Sequence, residues 1–270
     1  MRLPIYQVDA FAEKIFGGNP AAICPLPTWL PDATMQAIAA ENNLAETAFF
    51  VSENGGAGAA GGNDYLLRWF TPTVEVDLCG HATLASAHVV FSFLQPRRER
   101  VSFRTLKSGT LTVEKRGDVL VMDFPVRPAE PVAPPQGLIA ALGGEPREVL
   151  KARDHMVVYD SAAEVSALKP DFAALGKIAD CWAAIATAPG ENGVDFVSRF
   201  FASQQGIDED PATGSSHCTL VPYWAKRLGK SELQARQLSR RVGTLTCALN
   251  GDRVSIGGRA VLYLEGQITV

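Results

Sequence analysis

Two stretches, DLCGHATLASAHVVFSFL at 77–94 and DPATGSSHCTLVPYWAKRL at 210–228, decide how this chain folds. Each follows a polar loop and opens on Gly with small or polar residues, at Gly80-His81-Ala82-Thr83 and Gly214-Ser215-Ser216. Each then continues as a long, largely apolar segment whose length predicts a helix. A helix that is apolar all round has to be surrounded by other structure. Two of them in matching places predict two similar domains, each a sheet wrapped around one central helix, with the helix N-termini opposed across a cleft.

The flanking segments supply the sheets. Segments 3–11, 21–24, 44–51, 65–71, 101–104, 109–115 and 119–124 read as strands. A helix opening at Pro31-Asp32 carries Met35, Ile38 and Ala39 on one face and ends at Asn42-Asn43. The second half repeats the pattern: a helix at 136–142, strands near 147–160, a helix near 170–177, strands at 181–187 and 194–201, and a loop at 204–213 before the second long helix. The Pro-rich stretch 125–135 reads as a linker. The expected domains are therefore 1–124, with the last strand 261–270 a candidate to rejoin it, and 136–260. The Gly/Ala-rich stretch 54–63, NGGAGAAGGN, reads as a hairpin tip. It lacks the Lys-Ser/Thr and the strand–loop–helix setting of a phosphate loop.

Composition excludes several classes. The chain has 270 residues, of which 47% are hydrophobic and 20% charged, with a net charge of −4. No basic field is present to hold nucleic acid. The run Arg97, Arg98, Arg100 is a solvated turn. No stretch approaches the ~20 apolar residues that span a bilayer, and Gln7 and Asp9 stand where the apolar core of a signal peptide would lie. A cytoplasmic protein with no membrane partner is expected. The five cysteines include no C-x-x-C spacing, so neither zinc site nor disulfide framework is signalled.

Glu46 is the sharpest chemical signal. It is the only charged residue in LAETAFFV, 44–51, where both strand faces are otherwise apolar. Such a carboxylate is expected to be buried, with its pKa raised, and so able both to take and to give a proton near neutrality. The strand pattern leaves a second reading open, a Glu paired with a hidden Arg or a helix end. The two helix starts, Gly80 with His81 and Gly214 with Ser215, offer backbone N–H groups suited to a substrate carboxylate; ordinary capping by Thr83, Ser215 or Ser216 is the alternative. Asp210 lies just before the second helix, where a carboxylate meets the helix dipole or reaches into the cleft. His81 is either a donor to the substrate or a local cap.

GGNPAAIC, AENNLAETAFF, LRWFTPTVEVDLCGHATLASAH and DEDPATGSSHC, in that order over 17–218, resemble the phenazine-biosynthesis-like (PhzF) family. That resemblance implies an α+β, diaminopimelate epimerase-like fold: two pseudo-symmetric domains, each a barrel-like, mostly antiparallel sheet around a central helix, with the active site in the cleft. It implies Glu46, His81 and Asp210 as the catalytic residues and Asn19, Gly80, Gly214 and Ser215 as substrate-binding ones. It implies a cofactor-independent isomerase, with no metal, that shifts a proton on a small carboxylated metabolite, and a homodimer. Related epimerases use two cysteines. Cys79 stands where the first would be, and Asp210-Pro211 occupies the second place. The rival readings are a Cys79-dependent epimerase or racemase and a non-catalytic carboxylate-binding protein.

Overall fold

Apolar residues alternate on either side of a register irregularity at Gln7/Val8 and make β1 (Arg2–Ala10) a strand, with Leu3 and Ile5 buried before it and Val8 and Ala10 after it. It pairs antiparallel with β2 (Asn19–Leu26) and with the chain's last strand, Ala260–Thr269. The computed structural model describes residues 1–53 and 64–270; the stretch 54–63, read above as a hairpin tip, lies outside them. The chain divides into two compact units, Met1–Asp123 with Gly257–Val270, and Phe124–Ile256.

In the first unit β2 leads through α1 (Asp32–Asn42) to β3 (Glu46–Ser52), which lies parallel to β2. Asn43 closes α1 in the left-handed conformation, its N–H donating to Ala39 O. Asn tolerates that conformation well. Residues 44–45 are spent on the turn, so β3 starts at Glu46 rather than at Leu44 as the apolar run suggested. This leaves Glu46 at the mouth of its strand, partly buried instead of enclosed. Next come β4 (Tyr65–Phe70), β5 (Glu75–Val76), α2 (Gly80–Val89), β6 (Arg100–Arg104), β7 (Thr110–Arg116) and β8 (Val119–Pro125). One face of the sheet, with Leu3, Ala22, Cys24 and Phe49, packs on Met35, Ile38 and Ala39 of α1. The other face surrounds α2, in which every residue from His81 to Ala87 is buried. The buried hydroxyls inside α2 turn back onto its own carbonyls: Thr83 Oγ1 donates to Cys79 O at 2.6 Å and Ser86 Oγ to Ala82 O at 2.7 Å. The helix extends as a π-helical turn over Val90–Leu94.

The second unit contains β9 (Glu130–Pro131), α3 (Leu138–Leu142), β10 (Glu148–Lys151), β11 (His155–Val158), α4 (Ala162–Ala167), α5 (Phe172–Leu175), β12 (Ala184–Pro189), β13 (Phe196–Ala202), β14 (Ile207–Asp210), α6 (Gly214–Leu228), β15 (Glu232–Gln237), β16 (Gly243–Asn250) and β17 (Arg253–Gly258). The last strand, β18 (Ala260–Thr269), returns to β1.

Strand pairing exposes the repeat. β2 and β3 are parallel, as are β11 and β12; β3–β4 is antiparallel, as is β12–β13. β4 and β6 are parallel, as are β13 and β15, and α2 and α6 form the respective crossovers. β6–β7 and β15–β16 are antiparallel hairpins. Each unit is thus the same module, a barrel-like, mostly antiparallel sheet around a central helix. The expected α+β fold of two pseudo-symmetric domains is what the chain adopts.

The Pro-rich stretch 125–135 belongs to the second unit. Pro222 inside α6 has no N–H to give to Cys218 O, the carbonyl one turn back. Arg127 N–H donates to that oxygen instead, at 2.8 Å. Val126 N–H bonds Asp252 O, and β9 pairs with β10. This segment completes the backbone hydrogen bonding of the helix, which is why it is ordered against the unit.

Among the described residues no helix is long and apolar enough to cross a membrane.

Candidate active site

Sheet register brings Asn19 and Glu46 together. β2 and β3 are parallel with Ala21 opposite Glu46, so both strands start at the same end of the sheet. Glu46 shares the face of Ala48 and Phe50, which looks onto α2. His81, at the second position of α2, is 6% exposed. Its Nε2 lies 3.0 Å from Glu46 Oε2. That oxygen has no properly aligned hydrogen bond despite its burial, so the pair is close but not in line. On the ring's other side Asn19 Nδ2 lies 3.1 Å from Nδ1 and Cys79 Sγ 3.5 Å from it. The Asn19 amide suits either state of the ring: an N–H for a bare Nδ1, or an oxygen for Nδ1–H.

The electrostatics are mixed. Burial pulls the His81 pKa down, but the carboxylate of Glu46 at 3.0 Å favours the imidazolium and lifts it above the ordinary histidine value. Cys79 adds little to this near neutrality, because burial first and the Glu46 charge second push its thiol up to about 11 and keep it protonated. His81 therefore faces the Glu46 carboxylate on one side of its ring, with Asn19 and Cys79 on the other.

Gly18 makes the position of Asn19 attainable. Its φ is +54°, and a Cβ there would stand 2.0 Å from Ala10 O. Only glycine fits, and the chain turns there directly into the start of β2.

In the second unit the candidates gather before α6. Thr213, the residue preceding the helix, turns its hydroxyl to Asp210 Oδ2. Gln237, fully buried at the end of β15, accepts from Thr213 N–H at 2.8 Å and donates to Asp210 O at 2.6 Å. This amide ties down the loop that carries Asp210, Gly214 and Ser215. It belongs to none of the motifs in the sequence. Its signal was present: Leu233, Ala235 and Gln237 alternate inward along β15, putting a polar group at an apolar position. Neither α2 nor α6 has a side-chain cap on its first turn. Thr83 and Ser216 bond carbonyls rather than N–H groups, so the capping alternative for these two does not hold.

Aligned on Gly80 and Gly214, the two helix starts repeat in detail. Thr83 Oγ1 donates to Cys79 O, and His217 Nδ1 lies 2.8 Å from Thr213 O. The counterpart of Cys79 in this repeat is therefore Thr213 and not Asp210-Pro211, the place the family resemblance implies. Neither position carries a thiol.

His217 is fully buried, and desolvation drives its pKa down to about 4 against one opposing bond to Thr213 O. The unfolded chain, with an ordinary histidine near 6.5, binds the proton first on acidification. Stability should fall as pH drops from 6.5 towards 4, by up to ~3 kcal/mol from this group. Urea titrations at several pH values should show this loss, and His217→Gln should flatten the curve over that window.

The first unit thus sets a partly buried Glu46 at the start of β3 against His81 in the first turn of an enclosed helix, within a duplicated α+β module of epimerase-like fold. The sequence model of the phenazine biosynthesis-like protein family, PhzC-PhzF, matches residues 8–266, and the chain belongs to that family. Two proteins of Pseudomonas aeruginosa, each named an uncharacterized isomerase, are 52% and 48% identical to it, each over 99% of both chains. A crystal structure of a phenazine biosynthesis protein of the PhzF family from Enterococcus faecalis superposes with a TM-score of 0.94 at 45% identity, covering 100% of both chains. At the family level the protein is an isomerase.

Proposed function

We propose that the protein is a cofactor-independent isomerase in which Glu46 shuttles a proton on a small carboxylated metabolite. The observation that carries this reading is the buried Glu46 Oε2, without an aligned hydrogen bond and 3.0 Å from His81 Nε2. A carboxylate so placed can accept a proton while the neighbouring imidazolium compensates the local charge. Glu46 takes a C–H proton, the electron pair delocalises toward the substrate carboxylate and an adjacent double bond, and the proton returns at another carbon. His81, held by Asn19, orients and stabilises the shifted charge. In the first unit Gly80 N–H is proposed to bind the substrate carboxylate; in the second unit Gly214 and Ser215 are proposed as substrate-binding residues and Asp210 as a catalytic one. A homodimer in the cytoplasm completes the proposal, and light scattering on the purified chain reads the first part of it.

The test is a screen of small unsaturated, hydroxy and amino carboxylic acids in deuterated water, read by mass spectrometry. Incorporation of deuterium together with a shifted double bond supports the reading. Binding with no exchange across the set would favour a carboxylate-binding protein instead.

Cys79 is left out of the proton path, since burial raises its thiol to about 11 and its counterpart is Thr213. Cys79→Ser should keep exchange within about threefold of the parent. A loss as large as that of Glu46→Gln, with inversion at one carbon as the product signature, would transfer the chemistry to a cysteine-dependent epimerase.

A further inference from the structure

We infer that Glu46, Cys79 and His81 form a binding site for a single zinc-class divalent cation, and that the ion, when bound, closes the site to substrate. Its inhibitory consequence rests on the function proposed above; the binding itself does not.

Each of the three residues offers a donor atom, and all three atoms lie within 4.8 Å of one another. His81 Nε2 is 3.0 Å from Glu46 Oε2 and 3.9 Å from Cys79 Sγ. Around a tetrahedral zinc with bonds of about 2.0–2.3 Å, neighbouring ligand atoms stand roughly 3.3–3.7 Å apart. Small side-chain shifts therefore suffice. Such a shift would also give the unaligned Glu46 Oε2 a partner.

The donor set selects the ion. One sulfur, one imidazole nitrogen and one carboxylate oxygen suit zinc and cobalt and disfavour magnesium or calcium, which take oxygen. A thiolate and a carboxylate together cancel a divalent charge, so the loaded site is neutral, and a neutral site tolerates burial. The thiol proton of Cys79 and the Nε2 proton of the His81 imidazolium both leave to solvent as the metal binds, because a coordinated thiol and a coordinated ring nitrogen are deprotonated. Three protein ligands leave a fourth position, which water fills. Asn19 already stands 3.1 Å from His81 Nδ1, and its amide oxygen can accept from Nδ1–H when Nε2 takes the metal. Coordination occupies the Glu46 lone pair that takes the proton and removes the Nε2 proton of the His81 imidazolium, so the ion acts as an inhibitor and not as a cofactor.

Cobalt is the spectroscopic probe. The full-length, reduced, chelator-stripped protein is titrated with Co²⁺ alone. One equivalent should produce the near-ultraviolet thiolate-to-cobalt charge-transfer band. Zinc should displace it, and a large excess of magnesium should not. Cys79→Ser should lose the band, and Asn19→Ala should weaken cobalt binding about 10–100-fold. If circular dichroism shows that Cys79→Ser is misfolded, Cys79→Ala serves in its place with the same loss expected. No band in the parent protein, or a band undiminished without Cys79 and so owed to another cysteine, would overturn the inference. None of these readouts uses turnover. A failed metal titration therefore leaves the proton-shift reading standing, and a failed exchange screen leaves the metal site standing.

Discussion

Glu46→Gln should lower deuterium exchange into the substrate by about 10²–10⁴-fold, the usual contribution of a positioned acid/base group. The amide keeps the size and shape of the carboxyl, so the start of β3 and its pairing with β2 are preserved. It cannot accept a proton, and it removes the negative charge that sustains the imidazolium of His81. Because the carboxyl acts in the transition state more than in ground-state binding, the loss should fall on kcat with KM changed little. The measurement is initial exchange rate against concentration for whichever carboxylic acid the screen identifies. A variant that exchanges at the parent rate would remove Glu46 from its role, whatever its geometry suggests. The His81 pKa provides a second reading of the same variant. With Glu46 ionised it lies above the ordinary histidine value. In Glu46→Gln, burial acts with less opposition, so the pKa should move down, and the ring resonances in an NMR titration would follow it.

Gly18→Ala should destabilise the protein by about 2–5 kcal/mol, combining the left-handed penalty for a non-glycine residue with overpacking. The new Cβ would sit 2.0 Å from Ala10 O and 3.0 Å from the Ala12 Cβ. Backbone oxygen cannot step aside as a flexible side chain would. The strands that must yield are β1 and β2, which pair from Tyr6 with Ile23 to Ala10 with Asn19. Urea denaturation gives the stability change. Since Asn19 is the next residue, any folded population should also have a displaced Asn19, and the cobalt titration would register that as weaker binding. Gly17→Ala, by comparison, makes no demand for a positive φ. A Gly18→Ala protein as stable as the parent would mean that the turn relaxes at little cost.

Local pattern made much of the molecule readable. The apolar run 80–94 needs only its own composition to announce a helix with no exposed side, and α2 is buried from His81 to Ala87. Asn43, a residue that tolerates the left-handed conformation, marks the end of α1 where the pattern placed it. Glu46 could be picked out because a lone charge in an apolar strand is conspicuous without knowledge of neighbours. The motifs from GGNP to DPATGSS placed the chain in its family before any geometry was known. Pattern and structure part at junctions. The apolar run predicts an enclosed Glu46, but 44–45 form a turn and leave it partly buried. Proline spacing predicts a linker at 125–135 and says nothing about a carbonyl left open by Pro222, far along the chain.

Contacts between distant segments belong to a different category. Asn19 and His81 are separated by 62 positions, and no periodicity in either segment predicts that an amide meets an imidazole at 3.1 Å. Gln237 reaches the Asp210 loop only because β15 lies parallel to β13 and ends beside Thr213. Such pairings depend on strand register and on the depth at which a helix sits in its sheet. A shift of one residue in strand register would turn every side chain of that strand to the opposite face. Helices, strands and the lone carboxyl at Glu46 are written in neighbouring residues. The environment of Glu46 arises when packing sets those pieces against one another, because burial and a charged partner act over a few ångströms of space and not over positions in the chain.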